Sequence, residues 1–139
     1  MKAYLTRRYL FSASHRLHSP SLSDQQNRDT YGKCNNPFGH GHNYFLEVTV
    51  SGQVDQSTGM VCNLVDLDSF VHQYVIERFD HQNLNSLSDF NGIVPTTENL
   101  SRKIYHVLQR GFQGAHLERV RLEETIMNSF EFAGEEGVA

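Results

Sequence analysis

The sequence predicts one α+β domain in which two helices cover one face of a four-stranded antiparallel sheet. Three observations support this fold. Two early segments alternate apolar and polar residues, two later segments show helical spacing, and a final alternating segment is typical of a hairpin. The element order is strand, strand, helix, helix, strand, strand. Because 139 residues suit one core and not two, we expect a single domain over residues 1–139.

The first two strands follow from strict alternation. Residues 4–17 place every second side chain from Tyr9 onwards on an apolar face, and His15 belongs to that face. Residues 42–54 alternate in the same way, and His40 has the parity of their apolar side. Both histidines should therefore lie on the inner side of the sheet.

A long polar excursion separates these strands. Residues 18–39 are rich in Ser, Asp, Asn and Gly, and a short helical turn opened by Ser21 or Ser23 is the one regular feature expected there. Excursions of this length in compact domains are usually functional.

Helical spacing then predicts two helices. The first follows Asn63 as its N-cap and ends at Asp80. The second is capped by Thr96 or Thr97 and ends near Gly111.

The last part of the domain, residues 116–133, predicts an antiparallel hairpin with its turn at residues 127–129. Val120 and Leu122 share its inner face. Such a sheet leaves its other face and its edges uncovered, which favours association of several copies.

The composition excludes several classes of protein. A formal net charge of -4 argues against nucleic-acid binding, which needs a basic surface. The lack of a long apolar run predicts no membrane segment and a cytoplasmic location. In that reducing compartment Cys34 and Cys62 should be free thiols, with Cys62 a small buried hydrophobe.

A metal site is the first chemical hypothesis. His40 and His42 stand two residues apart on an extended chain, so their imidazoles point the same way. His15 is the best-placed third ligand, and three imidazoles suit Zn²⁺ with one coordination position left open. The alternative is two exposed loop histidines and a hydrogen-bonded core histidine.

Cys34 stands in a polar setting beside Lys33, whose ammonium would favour a reactive thiolate. Two alternatives remain open: an inert thiol, and a fourth ligand that closes a structural zinc site.

Further candidates follow along the chain. Asp80 and His81 pair a carboxylate with an imidazole, or simply form a polar helix end. Glu124 continues the inner face of Val120 and Leu122. A carboxylate in this position either binds a ligand whose ring edge resembles a cyclic guanidine or reaches solvent. Residues 96–99 are first of all a helix cap, with Glu98 suited to the helix dipole.

Six stretches in chain order carry a resemblance to a known family: FSASHRL, GKCNNPFGHGHNY, VSGQVDQSTGMVCNLVDL, FDHQNLN, TTEN and EET. Together they resemble the 6-pyruvoyl tetrahydropterin synthases. This resemblance implies a T-fold catalytic domain that assembles through a barrel-forming trimer into a homohexamer, a dimer of trimers, with active sites between subunits. Phe38 and Phe79 depart from the usual pattern.

The resemblance also implies residue roles. The implied Zn²⁺ ligands are His15, His40 and His42. The implied catalytic residues are Cys34 as proton acceptor, Asp80 and His81 as a relay, and Glu124, which also anchors the pterin. The implied further substrate contacts are Thr96, Thr97 and Glu98.

The implied reaction converts 7,8-dihydroneopterin triphosphate to 6-pyruvoyl-tetrahydropterin and triphosphate, a step of tetrahydrobiopterin biosynthesis. Zinc would act as a Lewis acid on the substrate side chain. One alternative is a 6-carboxytetrahydropterin synthase, whose cysteine loop tends to be shorter, and another is a non-catalytic zinc protein. Arg16, Arg28 and Lys33 remain equal candidates for the triphosphate contacts.

Overall fold

The computed structural model describes residues 1–135 and has a five-stranded sheet with its main helices on one face. The strands are β1 (Lys2–His15), β2 (His40–Gln53), β3 (Gln82–Asn83), β4 (His116–Thr125) and β5 (Asn128–Phe132). Their order across the sheet is β3-β1-β2-β4-β5. The predicted α+β class is confirmed.

The helices begin where the capping residues predict. They are α1 (Asp24–Tyr31), α2 (Leu64–Val71), α3 (Glu77–Phe79) and α4 (Thr97–Gly111). Ser23, Asn63 and Thr96 cap α1, α2 and α4 through side-chain oxygens that accept backbone N–H groups. A π-helical turn, His72–Ile76, joins α2 to α3, so this segment runs as one helix to Asp80, as predicted.

The prediction of four antiparallel strands is wrong in one respect. β3 is a fifth strand, and it pairs parallel to β1 through Ala13 and Gln82, which makes the sheet mixed. Two residues are too short for alternation to reveal a strand. The remaining pairs are antiparallel, and the turn between β4 and β5 lies at residues 126–127, earlier than predicted.

One apolar core fills the space between the sheet and its helices. Its largest fully buried side chains include Tyr44, Phe11 and Phe79, joined by leucines of α2 and α4. Burying each such side chain contributes roughly 1.5–3 kcal/mol to folding. Cys62 is buried in this core, and both cysteines are free thiols, as expected.

The register of β1 and β2 brings the predicted metal ligands together. His15 pairs directly with His40, and Ala13 pairs with His42. The opposite face of the sheet carries exposed apolar side chains, among them Leu10 and Phe45. None of the helices between residues 1 and 135 has the length and apolar character that crossing a membrane requires.

Candidate active site

Three histidines meet where β1 ends and β2 begins. One ring nitrogen from each of His15, His40 and His42 lies within 4.8 Å of the others. The ring centroids are 4.7 Å apart for His15 and His40, 4.7 Å for His40 and His42, and 5.1 Å for His15 and His42. The predicted convergence of these imidazoles is therefore present in the folded chain.

The spacing of these nitrogens suits a tetrahedral metal. The Nε2 atoms of His15 and His40 lie 3.2 Å apart. Two ligands of a tetrahedral Zn²⁺ at its usual bond length to nitrogen are separated by about 3.3 Å. His42 Nε2 is buried and finds no hydrogen-bond partner within residues 1–135. Because buried polar atoms normally have partners, this donor set fits a cation.

The chain also prepares His15 as a ligand. Its Nδ1 lies 2.8 Å from the carbonyl oxygen of Pro95, so Nδ1 carries the proton that it donates and Nε2 keeps its lone pair. Burial lowers the pKa of His15 below its ordinary value, and the neighbouring imidazoles lower it further, against the Pro95 carbonyl. Burial likewise lowers the pKa of His42. Neutral imidazoles are the form that binds metals.

A carboxylate flanks this triad. Glu124 Oε1 lies 3.4 Å from His42 Nε2, and both side chains are about 15% exposed. Thr97, which is fully buried at the start of α4, donates its hydroxyl to Glu124 Oε2. The start of α4 thus fixes both Glu124 and, through Pro95, His15. Sequence reasoning could not find Pro95, since its contribution is a backbone carbonyl.

Cys34 lies in a 3₁₀ turn, Gly32–Asn35, that is hydrogen-bonded to the segment following β1. Its carbonyl accepts the N–H of Leu17 at 2.8 Å. Burial raises the pKa of the Cys34 thiol, and the negative charge of Glu124 raises it further. Lys33, whose ammonium was expected to favour the thiolate, is exposed, and it does not offset these two effects on the pKa of Cys34.

Asp80 and His81 form a pair on the other edge of β1. Asp80 Oδ1 accepts the N–H of Ser12 at 2.8 Å, and its Oδ2 lies 3.0 Å from His81 Nδ1. His81 has a φ of 59°, the one positive φ of a non-glycine residue within residues 1–135. Strain of this kind concentrates at functional sites. The His81 side chain is 83% exposed, and within the described chain it makes no hydrogen bond to Cys34.

The remaining predicted contacts lie at the start of α4. Thr96 uses its hydroxyl to cap the helix through Asn99, and Glu98 is exposed in the first turn. Sequence reasoning missed Tyr44, whose hydroxyl is buried without a hydrogen-bond partner in the described part of the chain. The ring centroids of Tyr44 and His42 lie 5.7 Å apart in an edge-on arrangement. The sequence signal that could have found Tyr44 is its position two residues after His42, on the same face of the strand.

The fold and site define an α+β domain in which three convergent histidines could hold a metal ion and a carboxylate flanks them. Residues 4–135 match the family model described as 6-pyruvoyl tetrahydropterin synthase. The 6-pyruvoyl tetrahydrobiopterin synthase of Poecilia reticulata is 45% identical over 133 residues, covering 95% of this chain and 90% of that protein. The human protein of the same name is 44% identical over 135 residues, covering 96% and 93%.

The solved structure of Caenorhabditis elegans 6-pyruvoyl tetrahydropterin synthase superposes with a TM-score of 0.93 at 39% identity. The alignment covers 97% of both chains. The chain belongs to the 6-pyruvoyl tetrahydropterin synthase family. The family resemblance expected from the sequence motifs is confirmed.

Proposed function

We propose that the protein is a zinc-dependent lyase that converts 7,8-dihydroneopterin triphosphate to 6-pyruvoyl-tetrahydropterin in tetrahydrobiopterin biosynthesis, with elimination of triphosphate. One observation carries the proposal. Three imidazoles converge beside a largely buried carboxylate in a chain of this family. We expect the enzyme to act in the cytoplasm.

His15, His40 and His42 would hold the zinc ion, because one ring nitrogen of each converges on the others and His42 Nε2 is buried without a hydrogen-bond partner among the described residues. When bound, the metal supplies Lewis-acid chemistry that acidifies a substrate hydroxyl and the adjacent C–H.

Glu124 would anchor the pterin ring. A pterin presents a ring N–H beside an exocyclic amine, and a carboxylate can accept both hydrogen bonds at once. The Thr97 hydroxyl, bound to Oε2, restricts rotation of the carboxylate. Since Glu124 lies against His42, the ring held by Glu124 would place its side chain next to the three histidines. Thr96 and Glu98 would contribute further contacts from the start of α4.

Cys34 would take the proton from the substrate carbon. Because its pKa is raised, the thiol must first lose its own proton, and a nearby base is required. His81, oriented by Asp80, is suited to this role but is exposed on the opposite edge of β1. We therefore propose that the Asp80–His81 pair of a second copy completes the site within a homohexamer, a dimer of trimers.

The decisive experiment is incubation of the purified protein with dihydroneopterin triphosphate, with and without a chelator, followed by mass spectrometry of the products. We expect 6-pyruvoyl-tetrahydropterin and triphosphate, and loss of both on chelation. Formation of 6-carboxytetrahydropterin would favour the alternative enzyme of this fold. A protein that unfolds on chelation and converts no substrate would favour a structural zinc site closed by Cys34.

A further inference from the structure

A pocket beside the 3₁₀ turn that contains Cys34 carries three cationic side chains. Its volume is about 250 Å³. Its lining residues are Arg16, Arg28, Gly32, Lys33, Asn35, Asn36 and Pro37. No carboxylate contributes to this lining, although the chain as a whole has a formal net charge of -4. We call this site the basic pocket.

The cations of the basic pocket are uncompensated. Arg16, Arg28 and Lys33 form no salt bridge with any acidic side chain in residues 1–135. By contrast, the larger basic groove beside α4 contains its own counterions. There Arg78 pairs with Asp89 at 2.6 Å, and Arg102 pairs with Glu135 at 2.6 Å. Three unpaired cations around one concavity are arranged for an anion from outside.

Hydrogen bonds fix Arg16 and Asn35 in the wall of the basic pocket. Arg16 donates its Nε–H to the carbonyl of Asn35 at 3.1 Å, which leaves the two terminal nitrogens of its guanidinium available. Asn35 is buried, and its amide donates to the carbonyl of Leu17 at 2.7 Å. Asn85 clamps the backbone of Arg16 from both sides, at 2.7 and 2.9 Å. The pocket is therefore preorganised.

Two cations of the basic pocket are chain neighbours of proposed site residues. Arg16 directly follows His15, and Lys33 directly precedes Cys34. The two segments are joined by the hydrogen bond from Leu17 N–H to the Cys34 carbonyl.

We propose that the basic pocket binds the triphosphate chain of the substrate, with Arg16, Arg28 and Lys33 as its cationic contacts. This inference rests on the proposed function, because it requires a substrate that carries a polyphosphate ester. Arginine suits paired phosphate oxygens, and lysine acts as a flexible point charge. The structure thus places in one pocket the three residues among which the sequence alone indicated no preference for the triphosphate contacts.

The binding test uses inorganic triphosphate and isothermal titration calorimetry on the metal-loaded protein. We expect Arg28→Gln and Lys33→Gln each to weaken binding about tenfold, since each removes one charge-assisted contact. Arg110→Gln is the matched control, because Arg110 is exposed on α4 and lies outside the basic pocket. At Arg16 the test uses Arg16→Lys and not Arg16→Gln. The Lys variant keeps the charge at a side chain that also contacts Asn35. Equal affinity in Arg28→Gln, Lys33→Gln and the wild type would overturn the proposal.

A kinetic test then links the basic pocket to the substrate. We expect inorganic triphosphate to compete with dihydroneopterin triphosphate, and KM to rise about tenfold in Arg28→Gln with a smaller change in kcat. Dihydroneopterin without phosphates should bind equally well to the wild type and to this variant. Triphosphate that binds without competing would overturn the assignment to the substrate chain. If the wild type converts no substrate while its variants still lose triphosphate affinity, the proposed function fails and the anion site stands.

Discussion

The inner faces of β1 and β2 hold two groups of polar side chains that differ in how their hydrogen bonds are completed. Midway along β1, Tyr9 donates to Asp68 of α2 at 2.7 Å, and Arg7 binds the same carboxylate at 3.1 and 2.8 Å. This group completes its hydrogen bonds within the chain. At the end of the strand, His42 keeps a buried ring nitrogen without a hydrogen-bond partner among residues 1–135.

The difference shows which group serves stability and which serves binding. A satisfied network adds to the folding free energy, whereas unpaired buried polar atoms cost free energy until a ligand arrives. Residues at the histidine end should therefore control activity, and residues of the Tyr9–Asp68 group should control stability.

The largest effect should come from His42→Ala. Removing one of three ligands should abolish tight zinc binding and lower turnover by about 1,000-fold or more, because Lewis-acid stabilisation is worth several kcal/mol. The measurements are zinc content and the rate of triphosphate release. The fold should persist, as judged by the thermal unfolding curve. Normal turnover by this variant in metal-free buffer would refute a catalytic metal.

Cys34→Ala should come next, with kcat reduced about 10²- to 10⁴-fold, the usual contribution of a positioned proton acceptor. Its zinc content should equal that of the wild type, because the proposed ligands are the three histidines. Cys62→Ala is the matched control, since Cys62 is buried in the core away from the site. Zinc lost together with the Cys34 thiol would instead identify Cys34 as a fourth ligand.

Glu124→Gln should weaken substrate binding by roughly 10- to 100-fold, since hydrogen bonds to a charged group contribute about 1.5–3 kcal/mol. The amide keeps the shape of the side chain but can accept only one of the two pterin hydrogen bonds. The measurement is KM for the substrate, or the affinity for a pterin product. An unchanged KM would remove Glu124 from the binding site.

The same variant should alter Cys34. The charge of Glu124 raises the pKa of this thiol, after burial as the larger cause, so removing the charge should lower the pKa of Cys34. Alkylation by iodoacetamide requires the thiolate, and its pH profile should therefore shift to lower pH in Glu124→Gln. An unshifted profile would show that the carboxylate and the thiol do not interact.

The sequence predicted those parts of the fold that have a strong local pattern. Alternation located β1 and β2, and the capping side chains of Ser23, Asn63 and Thr96 located three helix starts. β3 has only two residues, so its position is set by packing against β1 and not by its own pattern. Local patterns therefore indicate elements, whereas short strands depend on their neighbours.

The part of the site that depends on strand alternation and on the pairing of β1 with β2 was predictable. His15 and His42 share the inner face, and the β1–β2 pairing then brings them together. The raised pKa of Cys34 was not predictable, because it depends on burial and on Glu124, which lies 90 positions later in the chain. The positive φ of His81 was also not predictable, since the residue type alone does not indicate it.

The smallest effect concerns the Tyr9–Asp68 group. Asp68→Asn should lower the free energy of unfolding by about 1 kcal/mol, because Tyr9 and Arg7 lose a charged acceptor that is partly exposed. Urea unfolding measures this, and turnover should equal that of the wild type. A loss of activity without a loss of stability would contradict the division between the two groups.

The pH dependence of that difference follows from the same contacts. The hydrogen bond from Arg7 holds the pKa of Asp68 below its usual value, and the Tyr9 hydroxyl lowers it further. A depressed pKa contributes stability above the unfolded value of about 3.9, and this contribution disappears as pH falls through the folded pKa. The wild type and Asp68→Asn should therefore differ by a constant amount from pH 7 to about pH 5 and converge below about pH 4. A difference that persists in acid would assign the effect to altered packing and not to the charge of Asp68.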